Sequence, residues 1–250
     1  SLVVGDSVKK TLQNQAEQRL GKIQTALVQH DRFFRADLAN ALETNGQTKF
    51  APILKLNAAG YVSDTKKRAN QIQLIGIDDS FWKHARLKSF QPPTLNDGHA
   101  LINPRLAAQL GLKPGDEFRL RIAKPSVLPR DAPLSVAEDL TARLTLIVAK
   151  VSDEDSELAN FSLRHGAVPP FNVFVPLSWL QKNSDLPGRA NMLLANGSKP
   201  TEELVKSANA NLKKAWRLAD AELELIENET DDAIDLRTDR IFLDANTLKA

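Results

Sequence analysis

The chain has 250 residues, which is enough for one large domain or two small ones with a buried core. It contains no cysteine, so disulfides, thiolate zinc sites and cysteine nucleophiles are excluded. Its 33 basic and 31 acidic residues give a formal net charge of +2, and no apolar run approaches the roughly 18 residues that a membrane-spanning helix needs.

The first elements predicted along the chain are helix, strand, helix and strand. A helix capped by Asp6 or Ser7 precedes a strand over residues 23–28. Asp31 caps a second helix, and a strand over residues 50–56 follows it. The strands and the helix between them form a predicted βαβ unit.

A basic run, Lys66-Lys67-Arg68, follows this unit. It predicts a solvated turn between strands, with contact to a lipid headgroup or a partner as the alternative. Nucleic-acid binding would need basic residues clustered on one face, and this run is the nearest approach to that pattern. We therefore predict no nucleic-acid partner.

The middle of the chain, from about residue 92 to 187, has the pattern of a β-rich unit. Residues 113–116 carry Pro and Gly where a type II turn requires them, and the alternating apolar positions in 117–122 predict a half-exposed strand. Residues 144–148 are apolar except for Thr145, which predicts a central strand covered on both faces. The proline-rich stretch 124–133 predicts an extended loop.

A second strand, helix and strand series is predicted near the end. The strands cover residues 191–195 and 222–226, and the helix between them runs from about 201 to 219 with its apolar residues on one face. Two such units predict an α+β fold with a ferredoxin-like sheet.

Four segments in a fixed order resemble a known family. The segments are RLG with DRFFR at 19–21 and 31–35, KPSVLPRDAPLS at 124–135, FNVFVPLSWLQ with RAN at 171–181 and 189–191, and LRTDRIFL at 236–243. Together they resemble the extracytoplasmic domain of FtsX-like ABC transporter permeases, the group that contains MacB and LolC/LolE, and the resemblance covers essentially the whole chain.

The resemblance implies a fold, a location and a function. The fold is a ferredoxin-like (porter-like) βαβ subdomain, residues 1–91 and 188–250, with an inserted β-rich subdomain, residues 92–187. The location is the extracytoplasmic face of the bacterial inner membrane, in a membrane-embedded parent protein. The function is to transmit ATP-driven movement of the membrane helices to a lipid, a lipoprotein or a periplasmic protein outside the membrane. The cognate cytoplasmic ATPase subunit is the implied partner.

The same resemblance places one membrane helix before this sequence and another after it. We therefore expect Ser1 and Ala250 to lie close together on one side of the domain. We also expect the isolated chain to be a monomer, because membrane helices and the ATPase organise pairing in the family.

Motifs for catalysis and metal binding are missing from the sequence. It has no phosphate-binding loop and no Gly-x-Ser-x-Gly elbow, so we expect no catalytic residues, no cofactor and no enzymatic activity. The four histidines are far apart in sequence, and Asp153, Asp155 and Glu157 begin a calcium-loop pattern that fails at Leu158. No metal site is predicted, and Asp78 with Asp79 is interpreted as a helix cap.

Exposed apolar residues are the stronger candidates for function. We predict a partner or substrate surface at Val168, Pro169, Pro170 and Phe171, where proline limits the entropy lost on binding. A rigid turn explains the same prolines equally well. The alternative function is a periplasmic module that binds a lipid or a peptide in its own pocket, for which a permanent apolar cavity would be the sign.

Overall fold

The computed structural model describes residues 23–29, 32–43, 49–83, 92–124, 141–163, 169–196, 202–228 and 233–238. No helix within these ranges is long and apolar enough to cross a membrane. The fold is mixed α/β and dominated by β-structure. This agrees with the fold class that the sequence predicts. The strands are β1 (Ile23–Val28), β2 (Phe34–Arg35), β3 (Phe50–Tyr61), β4 (Arg68–Ile77), β5 (His99–Ile102), β6 (Glu117–Ala123), β7 (Thr141–Val151), β8 (Phe171–Pro176), β9 (Arg189–Ala190), β10 (Met192–Asn196), β11 (Glu224–Asn228) and β12 (Ala233–Arg237).

The helices are short except for the last one. They are α1 (Leu38–Leu42), α2 (Asp79–Trp82), α3 (Pro104–Leu110), α4 (Glu157–Asn160), α5 (Leu177–Asn183) and α6 (Glu202–Ala215), and a 3-10 turn follows at Leu218–Ala221.

Six strands close into a barrel in the order β3-β4-β8-β5-β7-β6. The ring closes because β6 pairs with β7 along one edge and with β3 along the other. The pairs β4–β8 and β5–β7 are parallel, and the other four pairs are antiparallel. Closure leaves these strands with no long free edge.

Alternate side chains of β6 fill the barrel, as the apolar period of two in its sequence predicts. Phe118, Leu120 and Ile122 are buried, and the residues between them are exposed. The turn that leads into β6 has the predicted geometry, since Gly115 has a φ of 94° and the Asp116 N–H donates to the Lys113 carbonyl. The predicted strand and its turn are confirmed.

Strand β3 also belongs to a second layer. Its first residues, Phe50–Ile53, pair with β10, and β10 pairs with β1, whereas its last residues, Ala58–Tyr61, pair with β6 of the barrel. Between these stretches the Asn191 side chain accepts from the Lys55 N–H and donates to the Lys55 carbonyl, both at 2.8 Å. The amide side chain of Asn191, just before β10 begins, thus takes the place of a strand beside Lys55.

The first predicted βαβ unit is present in split form. Strands β1 and β3 are both antiparallel to β10, which lies between them, so they are parallel to each other. In the second predicted unit, α6 is present, but β11 pairs with β12 in a separate hairpin. Leu225, Ile234 and Leu236 of this hairpin are each more than half exposed. The complete ferredoxin-like arrangement stays a prediction.

Two details of the sequence-based prediction are wrong. The second helix was predicted from Asp31, yet Phe34–Arg35 pairs with β9 and α1 begins at Leu38. The helix starts late because the Arg35 N–H donates to the Asp220 carboxylate and the Ala36 N–H to the Gly188 carbonyl.

The strand over residues 144–148 is not covered on both faces. Thr145 is exposed and Ile147 is 38% exposed, because they lie on the outer wall of the barrel. The strand lies between β5 and β6 in the ring, and its inner face alone is apolar and buried.

The predicted subdomains share the barrel. Strand β4 from residues 1–91 pairs with β8 from residues 92–187, and β3 pairs with β6 in the same way. The division into subdomains at residues 92 and 187 stays a prediction, and the hydrogen-bonded sheet is continuous across it.

Helix α5 packs on β4 at a glycine, which gives a stability prediction. A Cβ atom at Gly76 would lie 3.0 Å from Leu180 Cδ2 and 3.3 Å from the Leu177 Cα atom. Because backbone is among these neighbours, we expect Gly76→Ala to lower the free energy of unfolding by about 2 kcal/mol. Urea unfolding measures this, with Thr145→Ala on the exposed barrel wall as the control. A loss no larger than that of the control would contradict the packing.

Candidate functional site

The predicted surface lies where the chain enters β8. Pro169, Pro170 and Phe171 are half-buried, and Val168 lies outside the described residues. The Arg105 guanidinium of α3 lies over the Phe171 ring, 4.6 Å from its centroid, which is a cation–π contact. The segment is accessible in part, and its role as a partner surface stays a prediction.

Two buried asparagines fix this segment to the barrel. Asn103 donates its amide N–H groups to the carbonyls of Ala159 and Pro170, both at 2.8 Å, and its Oδ1 accepts from the Asn172 N–H at 3.1 Å. Its Oδ1 also accepts from the Leu106 N–H, which caps helix α3.

Asn172 completes the clamp by donating to the carbonyls of Leu158 and Phe161. Both asparagines are fully buried. The segment from residue 169 onward is therefore held by side-chain hydrogen bonds as well as by the ladder of β8.

Removing the first asparagine tests this clamp. Asn103→Ala removes the partner of the Ala159 and Pro170 carbonyls, of the buried Asn172 N–H and of the Leu106 N–H at the start of α3, so we expect the free energy of unfolding to fall by about 3 kcal/mol. Urea unfolding measures it, and Asn57→Ala, at an exposed position of β3, is the control. Equal effects of the two substitutions would show that the amide does not hold the segment.

A polar junction joins the early and late parts of the chain. At its centre the Asp220 side chain is fully buried and the Arg35 side chain is 19% exposed. Asp220 Oδ1 accepts from the Arg35 backbone N–H at 2.9 Å and from Nε at 3.0 Å, and Oδ2 accepts from Nη2 at 2.8 Å. The Arg217 N–H donates to Oδ2 as well. The carboxylate therefore has a bidentate arginine and two backbone donors.

This environment shifts the pKa of both groups. Burial alone raises the pKa of Asp220, but the hydrogen bonds from Arg35 and from the Arg217 N–H, together with the charge of Arg35, lower it below the ordinary 3.8. The hydrogen bond to Asp220 raises the pKa of Arg35 against the opposing effect of burial. Both shifts favour the charged pair at neutral pH.

Further hydrogen bonds extend the junction on both sides. Glu222 Oε1 accepts from the Phe33 N–H at 2.9 Å, and the Thr238 hydroxyl donates to the Glu222 carbonyl at 2.9 Å. Arg189 Nη1 donates to the carbonyls of Phe33 and Ala219. Residues 33–35, 189, 215–222 and 238 therefore meet in one hydrogen-bonded cluster.

Sequence reasoning missed the acidic half of this junction. Arg35 and Arg189 lie in the segments that carry the family resemblance, whereas Asp220 lies in an unremarkable Leu-Ala-Asp-Ala stretch after a helix. In the structure Asp220 lies in the first turn of the 3-10 helix that follows α6, and its side chain accepts from the Arg217 N–H. An acidic residue in the first turn of a helix is favoured by the helix dipole, but the sequence shows no sign of this second, short helix.

The junction predicts a pH-dependent loss of stability. Asp220→Asn leaves the Arg35 guanidinium without its counter-charge, so we expect the free energy of unfolding to fall by about 3 kcal/mol at neutral pH. Because the pKa of Asp220 is lower in the folded chain, this contribution is complete above its ordinary value of 3.8 and is lost as the pH falls through the folded value.

The measurement is urea unfolding of both proteins between neutral pH and acid. The difference in unfolding free energy between wild type and Asp220→Asn should be constant near neutral pH and shrink below about pH 4. The control is Asp155→Asn, at an exposed turn position. A difference that does not depend on pH, or one equal to the control, would contradict the assignment.

A groove of about 860 Å³ opens between α1, α2, α5 and the start of β3. Its lining combines apolar and charged residues, among them Phe50, Trp82 and Leu177 with Asp37 and Asp79. This mixed lining differs from the permanent apolar cavity that the lipid-binding alternative requires.

The remaining candidate residues from the sequence fall into three groups: those with a structural role, those that are exposed, and those outside the described residues. Asp78 caps α2 by accepting from the Ser80 N–H, as predicted. Asp153 and Asp155 are exposed. Within the described ranges no three His, Asp or Glu side chains are grouped so that they could hold a metal ion. Three of the histidines, and both chain ends with the prediction about their distance, fall outside those ranges.

No protein-family model matches the sequence, and no curated protein matches it. Among solved structures, the chain is similar to the extracellular domain of the noncanonic ABC-type transporter YknZ from Gram-positive bacteria, with a TM-score of 0.48 and 13% identity over 82% of this chain and 90% of that chain. It is also similar to the periplasmic region of MacB from Actinobacillus actinomycetemcomitans, with a TM-score of 0.48 and 12% identity over 91% of this chain and 92% of that chain.

Proposed function

We propose that this chain is the extracytoplasmic domain of an ABC transporter permease subunit, and that it transmits movement of membrane helices to a substrate or partner outside the membrane. The observation that carries the proposal is the junction around Arg35 and Asp220. Three of the four segments with family resemblance contribute to it, through Phe33 and Arg35, through Arg189, and through Thr238.

The junction has the connectivity that a transmitter of movement needs. A displacement of residue 238 reaches Glu222 by a hydrogen bond, and Glu222 is bonded to the backbone of Phe33. The path of hydrogen bonds continues from Arg189 into helix α5. The buried Gln181 side chain of that helix donates to the Arg189 carbonyl at 2.7 Å. Helix α5 packs directly on β4 of the barrel at Gly76.

Stiffness is the second requirement, and the barrel supplies it. A closed ring of paired strands has few internal degrees of freedom, so a displacement applied at the junction moves it as one body. This role uses no catalytic residue and no cofactor in the chain. The partner in the parent protein would be a cytoplasmic ATPase, and the segment Pro169–Phe171 is the proposed contact for a lipid, lipoprotein or periplasmic protein.

The proposal includes a ferredoxin-like subdomain next to the junction. Strands β1, β10 and β3 have the order and directions of three of its four strands, and helix α6 follows β10 as that fold requires. Leu212 and Trp216 pack with Phe34 and Leu38 in one core cluster, which covers one side of these strands.

Spin labels in the full-length protein test the transmission. The 250 residues of this sequence contain no cysteine, so the pair Lys113→Cys and Lys206→Cys, one on the barrel side and one on α6, can be labelled specifically once any cysteines elsewhere in the parent protein are replaced. In the reconstituted transporter we expect their distance distribution to be the same without nucleotide and with ATP. The distance from either label to a membrane helix should change on ATP binding.

Two results would contradict the proposal. One is an ATP-dependent change between the two labels as large as the change relative to the membrane helices. The other is no change relative to the membrane helices in a transporter that hydrolyses ATP. Asp220→Asn provides the matched control, since it should broaden the distance distribution between the labels without altering the barrel.

A further inference from the structure

The outer wall of the barrel carries a cluster of arginines on β6 and β7. Arg119, Arg121 and Arg143 alternate with buried residues, so all three side chains face solvent. The strand register places Arg121 directly opposite Arg143 and Arg119 directly opposite Thr145.

A fourth arginine extends the cluster across the barrel. Tyr61 of β3 is opposite Arg119 on one side and opposite Arg68 of β4 on the other. The adjacent residues on the three strands, Gly60, Ala69 and Leu120, face the interior of the barrel. Because side chains alternate along a strand, Tyr61, Arg68 and Arg119 lie on the outer wall. We call Arg68, Arg119, Arg121 and Arg143 the arginine face.

The described residues neutralise little of this charge. Glu117 forms an ion pair with Arg119 at 3.7 Å, in which both side chains are about half exposed. Arg68, Arg121 and Arg143 have no carboxylate partner within the described ranges. In the part of the chain that the structure describes, the face therefore presents three cations without a counter-charge beside a weak, solvent-exposed pair.

Folding does not explain this arrangement. Like charges directly opposite each other on antiparallel strands are destabilising, and Arg121 with Arg143 is such a pair. Solvent-facing strand positions accept most polar residues, so neither arginine is required for β-structure. A ligand that brings negative charge would remove the repulsion.

We propose that the arginine face docks an acidic segment of a partner protein, through carboxylates in an extended conformation. Arg119 and Arg121 are two residues apart on one strand, about 7 Å, which is also the separation of alternate side chains in an extended segment. The planar guanidinium binds a carboxylate with two parallel hydrogen bonds.

A membrane surface fits this face less well than a protein segment. Adsorption to lipid is strengthened by apolar side chains that insert beside the cations. Among the described residues, the one large apolar side chain exposed on these strands is Ile147, and it lies opposite the acidic Glu117. Tyr61, which lies between Arg68 and Arg119, is half-buried. The face therefore has few apolar side chains to insert into lipid, and its composition favours carboxylates over headgroups.

The test uses the full 250-residue chain and a synthetic peptide of alternating Glu and Thr. NMR titration at low salt should give shifts concentrated at residues 119–121 and 143–145. Binding should weaken at higher salt. A peptide with Gln in place of each Glu should give no shifts.

Matched double variants distinguish an effect of the arginine face from an effect of net charge. Arg121→Gln with Arg143→Gln should weaken peptide binding about tenfold. The control, Lys206→Gln with Lys213→Gln, removes the same charge from exposed positions of α6 and should leave the affinity unchanged. The thermal midpoint of the arginine variant should not be lower than that of the wild type, because a repulsive pair has been removed.

Three outcomes would overturn the proposal. They are the absence of shifts on the face, an equal loss of affinity in the lysine variant, and vesicles of phosphatidylglycerol that bind through the arginines while the acidic peptide does not. None of them bears on the proposed function, which rests on the junction around Arg35 and Asp220.

Discussion

Strand β3 is the element on which the rest of this structure depends, because it belongs to two β layers at once. Its first residues pair with β10 and its last residues with β6 of the barrel. A single strand of twelve residues cannot bend freely while both ends are paired, so the two layers are fixed to each other. The side-chain amide of Asn191 pairs with the backbone N–H and carbonyl of Lys55, at the point where the pairing of β3 with β10 stops.

The junction around Asp220 makes a second connection between the same two regions. It ties residues 33–35 and 189 to the segment that follows α6, and Gln181 links it to the helix that packs on the barrel. A buried carboxylate is costly unless its hydrogen bonds are satisfied, and here four donors satisfy it. Two connections between the layers are what the proposed transmission of movement requires.

Stability and the proposed recognition use different parts of the barrel. The inner face is apolar and closely packed, as folding demands, while the outer face of β6 and β7 gathers arginines that folding does not need. The period of two along each strand allows both, since alternate side chains serve opposite faces. The buried Asn103 and Asn172 add a polar clamp that holds the entry to β8 without exposing either group.

The sequence alone determined those features that depend on neighbouring residues. The alternation in β6, the Pro114-Gly115 turn, the strands at 23–28 and 50–56, the cap at Asp78 and much of α6 were predictable, because local periodicity and backbone preferences specify them. Tertiary structure decided the rest. The helix predicted from Asp31 starts late because Asp220, far along the chain, takes the Arg35 N–H. Strand 144–148 is half-exposed because the ring of strands leaves its outer wall uncovered. The junction and the arginine face combine residues that are distant in sequence. Hydrogen bonds between β2 and the turn after α6 join Arg35 to Asp220, whereas the pairing of β3, β4, β6 and β7 gathers the arginines.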